Sequence, residues 1–366
     1  MQLRKWICSG MALGLFCVQT SLHAEAPKIS GFIDTTYGYD FNKPASRTTS
    51  FRSLDKRTDT FLLNAAQINI EGSQDGIGYY AELVYGTDAS VTKAAGTGID
   101  SGLPAAPSSV AYNVDLQEAF LTYKCPVTGI QLKAGKFVTF EGIEVVEAKD
   151  NFNISRGFLY SWAEPTTHVG AMIGYALPKY VDFWVGVVNG WDVLTDNNTG
   201  KTIVAKVGIT PSDKVSGVVS LLRGAEKANN TNDSRTSFDT VWTIKPVDKF
   251  ALALQANAGE EEKSSLIDGG AAHWYGFGLQ PKVTLCDKVS IGSRYEWFSD
   301  LDGARTGSRQ ILNTIAITPT VNLTESLMFR VEYRYDWSTR LVYETSDGAI
   351  SKGETSTIST QFIYKF

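Results

Sequence analysis

The chain has 366 residues, 11% of them aromatic and only 20% charged, with 33 glycines. Its mean hydropathy of −0.11 is far too polar for a bundle of membrane helices, and beyond the first two dozen residues no stretch approaches the ~20 consecutive apolar residues that one spanning helix needs. A net charge of −5 offers no basic footprint for nucleic acid.

The first element is an apolar run, Trp6 to Val18, preceded by Arg4 and Lys5 and followed by a polar segment ending in Leu22-His23-Ala24. That three-part layout is a secretory leader, so the expected division is a signal peptide at 1–24 and one domain at 25–366. Phe16 is bulky where a lipoprotein signal carries a small residue before its cysteine, here Cys17. Of the four cysteines, Cys125 and Cys286 remain in the exported chain.

From Ile29 to Phe41 apolar and aromatic residues recur at every second position, the signature of a strand with two unlike faces. A charged loop, 42–59, leads to a second such strand, Thr60 to Gly72, and a tight turn at Ser73–Gly76. The pattern repeats with strands at Ile77–Thr87, Asn113–Lys124 and Gly129–Phe140, the first two separated by a long Gly/Ala/Ser/Pro-rich loop to Tyr112. Short turns then recur at Leu177–Tyr180, Pro211–Lys214, Pro246–Lys249, Cys286–Lys288 and Pro319–Glu325, while the opposite connections are longer and more polar. The last strand, Thr355–Phe366, sets Ile358, Phe362, Tyr364 and Phe366 on one side and Thr357, Ser359, Gln361 and Lys365 on the other.

About sixteen such strands, joined by short turns at one end and long loops at the other, are the layout of a transmembrane up-and-down antiparallel β-barrel. The expected fold class is therefore all-β, located in a bacterial outer membrane with lipid as partner. Closure follows from the solvent, because hydrocarbon offers no partner to an unpaired strand edge. Aromatics on the outward parity mark two girdles. Tyr37, Tyr39, Phe41, Tyr295, Trp297, Tyr333, Tyr335 and Trp337 fall at upper strand ends, and Tyr123, Tyr364 and Phe366 at lower ones.

If the odd positions of Leu327–Trp337 face lipid, then Arg330, Glu332, Arg334 and Asp336 project inward, and the same parity sends Arg294 and Glu296 inward. Charges of that density point to a wet interior. They read as a rail for hydrated solutes or as a self-neutralising ladder of salt bridges. The connection Glu141–Pro165 carries Glu141, Glu144, Glu147, Asp150 and Glu164 with Lys149 and Arg156, among apolar residues awkward in water. It is expected to fold inward and narrow the bore, so the expected constriction comprises Glu141, Glu144, Glu147 and Arg156 opposite Arg294, Arg330 and Arg334. An external lid packed on neighbouring loops is the alternative.

Gly135-Lys136-Phe137, Asn153-Ile154-Ser155-Arg156, Pro165-Thr166-Thr167-His168-Val169-Gly170 and Asn189-Gly190-Trp191-Asp192 together resemble the OmpL-like outer-membrane β-barrel porin family of Gram-negative bacteria. The resemblance covers essentially the whole mature chain and implies a diffusion channel with no established catalytic residues. Where that family usually has a second serine or similar residue after Ser-Arg, this chain has Gly157.

Chemistry of other kinds finds few parts. The mature chain holds only His168 and His273, and no glycine loop that cradles phosphate. A protease-like pairing of His273 with Asp268 and a calcium turn at Asp300-Leu301-Asp302-Gly303 are the nearest candidates. The expectation is no enzyme, no metal and no cofactor, and passive diffusion of small hydrophilic solutes or ions. A closed or plugged barrel acting as adhesin, scaffold or surface protease is the alternative. A homo-oligomer, with trimers common among barrels of this size, stays open. Cys125 and Cys286 fall eight strands apart, too far across the ring for a disulfide.

Overall fold

A computed structural model describes residues 26–74, 76–92, 113–177 and 180–366. The leader read at 1–24 and most of the loop ending at Tyr112 lie outside the described residues, as do parts of two short turns. The ring comprises β1 (Lys28–Asp40), β2 (Thr60–Gln74), β3 (Ile77–Gly86), β4 (Asn113–Lys124), β5 (Gln131–Val138), β6 (Thr167–Leu177), β7 (Val181–Val188) and β8 (Thr202–Ser212). It continues with β9 (Val215–Ala225), β10 (Ser234–Val247), β11 (Phe250–Glu261), β12 (Ala272–Cys286), β13 (Val289–Asp300), β14 (Gln310–Asn322) and β15 (Leu327–Ser338). A small hairpin, β16 (Tyr343–Glu344) and β17 (Ile350–Lys352), precedes the closing strand β18 (Glu354–Lys365). Neighbours pair antiparallel in chain order, and β18 returns to β1 between Phe32↔Lys365 and Asp40↔Thr357. Sixteen strands thus form a closed barrel without an open edge, the one arrangement of strands that leaves no backbone group facing hydrocarbon unpaired.

Parity assigns the two faces. On β15, Arg330, Glu332, Arg334 and Asp336 are buried while Tyr333 is exposed; on β13, Arg294 and Glu296 are buried while Tyr295 is exposed. The outer surface is a belt of exposed Ile, Leu, Val, Phe and Tyr side chains, which a lipid solvent wets and water does not.

Three turns begin later than the sequence indicates. Pro211, Pro246 and Pro319 lie inside β8, β10 and β14, not in the turns that follow. Proline lacks the N–H that a ladder needs, so each run looks terminated. The barrel accommodates two of them with register shifts, between Ile209 and Ser212 and between Ile244 and Val247.

The interior also departs from the uniformly wet channel expected. Phe137, Phe158, Leu159, Trp191, Trp274, Phe298 and Leu312 form a buried apolar cluster inside the ring. It arises because the connection 139–166 carries its own apolar side chains into the barrel, and burying them against wall residues removes both surfaces from water. Gly276 and Gly278 of β12 leave the room that Leu159 occupies. Segment 42–59 and a short helix, α1 (Thr87–Thr92), pack inward as well, with Arg52, Ser53, Leu54 and Asp88 buried.

Candidate functional site: the segment that crosses the bore

The connection between β5 and β6 leaves the wall at Val138 and rejoins it at Thr167. It contains one 3-10 turn at Ala148–Asp150 and one π-helical turn at Leu159–Ala163, so most of its backbone groups need partners outside any regular element. The opposite wall supplies them. Glu332 of β15 accepts the N–H groups of Ile154 at 2.6 Å and Ser155 at 3.2 Å. Glu296 of β13 accepts those of Phe158 at 2.5 Å and Leu159 at 3.3 Å. At the near end, Asp239 of β10 and Gln255 of β11 accept from Gly142 and Ile143. Asn153 donates to Thr318 of β14 at 2.7 Å. One segment is therefore pinned to the inner face of five strands.

The arginines bind its carbonyls. Arg330 donates to Ala148 O at 3.0 Å and Asn153 O at 3.2 Å. Arg334 donates to Arg156 O at 2.6 Å while its Nε holds Asp336 at 2.7 Å. Arg294 meets Glu144 at 2.8 Å, Ser155 O at 2.5 Å and Ser155 Oγ at 2.9 Å. Arg156, on the segment itself, caps Ile154 O at 3.1 Å and also bonds Val145 O and Val146 O, with Asp88 of α1 at 3.9 Å. Neighbouring segment 42–59 locks against the same assembly, through Asp55 to Arg156 N at 3.1 Å and Phe51 O to Trp162 Nε1 at 2.9 Å.

Here the geometry corrects the opposed-charge picture. Glu144 and Arg294 touch instead of facing each other across a gap, and Arg294, Arg330 and Arg334 lie buried beneath the segment. Charges so far from bulk water are stable only when paired and bonded, so the inner arginines take the nearest carboxylates and carbonyls. Glu147, half buried on the segment, meets the Glu82 carboxyl of β3. Glu141 accepts from Ser237 Oγ at 3.0 Å, and Glu164 from Gln255 Nε2 at 2.7 Å. Burial, with the Asp239 carboxylate close by, pushes both carboxyls well above the usual range.

Two features escaped the sequence. Trp191 and Trp274 meet edge to face at 6.3 Å, with the Arg305 guanidinium over both rings and that of Arg235 over Trp191. The second is how the recognised motifs join. Asp192, at a left-handed φ of 57°, accepts the N–H groups of Thr166 at 2.7 Å and Thr167 at 2.9 Å, and His168 Nδ1 lies 3.1 Å from Gly190 O. The candidates for other chemistry are engaged otherwise. His273 Nδ1 lies 3.5 Å from Glu260, Asp268 accepts from Gly270 N, and Asp300 accepts from Arg305 N and Thr306 N.

A family model described as "Putative beta-barrel porin-2, OmpL-like" matches residues 27–366. The chain belongs to this family. None of the curated proteins matches it. Among solved structures it is similar to the outer membrane channel DcaP of Acinetobacter baumannii, at 11% identity and a TM-score of 0.62 over 95% of this chain and 99% of that one. It is also similar to an anion-selective porin from Comamonas acidovorans, at 10% identity and 0.61 over 93% and 99%. The trimer form of OmpT of Vibrio cholerae gives 12% identity and 0.59 over 93% and 99%. At such identities the structures share the fold. Membership in the family makes this OmpL-like chain an outer-membrane porin, a diffusion channel with its short turns toward the periplasm.

Proposed function

We propose that this OmpL-like porin passes small hydrophilic solutes and ions by passive diffusion through a bore narrowed by segment 139–166. Glu141, Glu144, Glu147, Arg156, Arg294, Arg330 and Arg334 set that constriction by fixing the segment's path. One observation carries the reading: Glu296 and Glu332 accept four backbone N–H groups of the segment from the far wall. Such anchoring suits a fixed constriction, as a transient lid has little use for bonds to the opposite side. In this reading residues 1–24 are removed on export, residues 25–366 form the barrel, and no covalent step takes place. A homotrimer is the assembly proposed, by analogy with the trimer form of OmpT.

Single-channel recording in planar bilayers tests it. Stable insertion with stepwise, ohmic current is the expected result. Stable insertion without current overturns it in favour of an adhesin, scaffold or surface protease, and cross-linking of the folded protein reads the trimer.

A further inference from the structure

The arginines of β13 and β15 are committed to holding the segment, whereas three lysines of the wall sit against aromatic rings. Lys133 of β5 lies 3.8 Å from the centroid of Phe120 and 5.0 Å from that of Phe137. Lys206 of β8 lies 5.9 Å from Phe140, and Lys282 of β12 lies 5.2 Å from Phe152. Phe140 and Phe152 belong to the crossing segment, so the lane runs between it and the wall. Lys133 and Lys282 lie in the periplasmic half of their strands, and Lys206 lies near the middle of β8.

Two cavities open along this arc. One of about 350 Å³ is lined by Phe120, Lys124, Lys133 and Trp184. The other, about 670 Å³ beneath the segment, is lined by Phe152, Lys214, Lys245 and Lys282, with Asp150, Asp213 and Asp248 also present. Asp213 and Asp248 stand in the rim turns, outside the strands that carry Lys245 and Lys282.

The nearby acids have partners of their own. Glu118 accepts from Val138 N at 2.9 Å and also faces Lys133, Glu82 is buried and accepts from the Tyr80 hydroxyl at 2.8 Å, and Asp150 holds Lys149. Asp182 holds Lys206 at 3.4 Å. Glu147 on the segment is half buried and bonds Glu82, with Glu118 close by. No ion pair joins Lys133 or Lys282 to a carboxylate among the described residues. A ring face steadies an ammonium without neutralising it, so the charges of Lys133 and Lys282 stay available to an anion on the open side. The half-buried faces of Phe120, Phe140, Phe152 and Trp184 offer a passing solute apolar contact at the same points.

We propose that the bore is anion-preferring and favours small organic anions that carry an aromatic ring, benzoate being the simplest probe. This inference rests on the channel reading above and adds its substrate class. Full-length protein in planar bilayers under a potassium chloride gradient should give a reversal potential favouring chloride. The triple variant Lys133→Gln, Lys206→Gln, Lys282→Gln should lower the chloride-to-potassium ratio by about threefold or more. In the wild type, benzoate should reduce the chloride current at about tenfold lower concentration than acetate. Replacing Phe120 and Phe140 by Leu should remove that difference. Cation preference, a triple variant as selective as the wild type, or equal action of benzoate and acetate would each overturn the inference while leaving the channel itself intact. Stable insertion without any current would overturn the channel reading and this one with it.

Discussion

Arg294 shows how a single residue can decide the bore. Its guanidinium is fully buried and serves Glu144 and both oxygens of Ser155, so truncation removes the charge partner of the buried Glu144 carboxylate and leaves it only the Gly157 N–H. Breaking one side of a buried pair costs about 3–5 kcal/mol. Arg294→Ala should therefore release the crossing segment and raise single-channel conductance, with Arg294→Lys intermediate because one ammonium cannot reproduce the fork. Unchanged conductance in Arg294→Ala would show that the segment holds its place without this anchor. Gly157 is the second such position. A Cβ there would fall inside the Glu296 carboxylate, which is itself held by Phe158 N and Leu159 N. Gly157→Ala should displace that carboxylate and alter current amplitude more than thermal stability, read by recording and by melting in parallel. The inward parity of Arg294, Arg330 and Arg334 was legible in the sequence, since alternation alone decides it. Their partners were not, because carbonyls of a loop lacking regular structure leave no periodic trace in a chain of letters.

The crossing segment responds to pH through Glu141 and Glu164. Gln255 Nε2 donates to Glu164 at 2.7 Å and to Asp239 at 2.8 Å, so one amide stands between two carboxylates, with Glu141 close by on Ser237. Burial raises the carboxyl values of Glu141 and Glu164 in the docked state above their ordinary 4.5. A raised acid favours the protonated form when docked. Its stabilisation of the docked segment is thus fully present below the ordinary value and is lost as pH rises through the raised one. Current noise and mean conductance should therefore increase as pH rises above the ordinary carboxyl value of 4.5, and the double variant Glu141→Gln, Glu164→Gln should flatten the profile. A slope of opposite sign, or a variant that keeps the slope, would refute the assignment. At this scale the strands were read well: β4 matches its expected bounds at both ends, and β1 and β2 differ by one or two residues. The inward course of 139–166 was also readable, from apolar side chains too numerous for an exposed loop. Segment 42–59 looked like an ordinary polar loop, because Arg52, Ser53 and Asp55 are hydrophilic residues that become interior only by bonding Asp336, Ser161 and Arg156.

The whole barrel depends on its seam. β1 and β18 meet through a ladder that ends where Phe366 N donates to Gly31 O at 3.1 Å and Gly31 N donates to Phe366 O at 3.0 Å. The Phe366 ring lies over Gly31, where a side chain would collide with it, and the ring is still 56% exposed to the lipid side. Two contributions can be separated there. Phe366→Ala keeps both backbone bonds and removes only the ring, whereas deleting Phe366 removes all three contacts and leaves Gly31 with an unpaired N–H and C=O at the membrane boundary. Each backbone bond contributes about 1 kcal/mol in water, and more where hydrocarbon supplies no substitute partner. The deletion should therefore lower the denaturant midpoint of the detergent-folded barrel further than Phe366→Ala does, by the equivalent of about 2 kcal/mol. It should also reduce the fraction that migrates as the compact, heat-modifiable form. Equal loss in the two variants would place the seam's stability in the aromatic ring and not in ladder closure, against the reasoning that made a closed ring the only way for this chain to meet lipid.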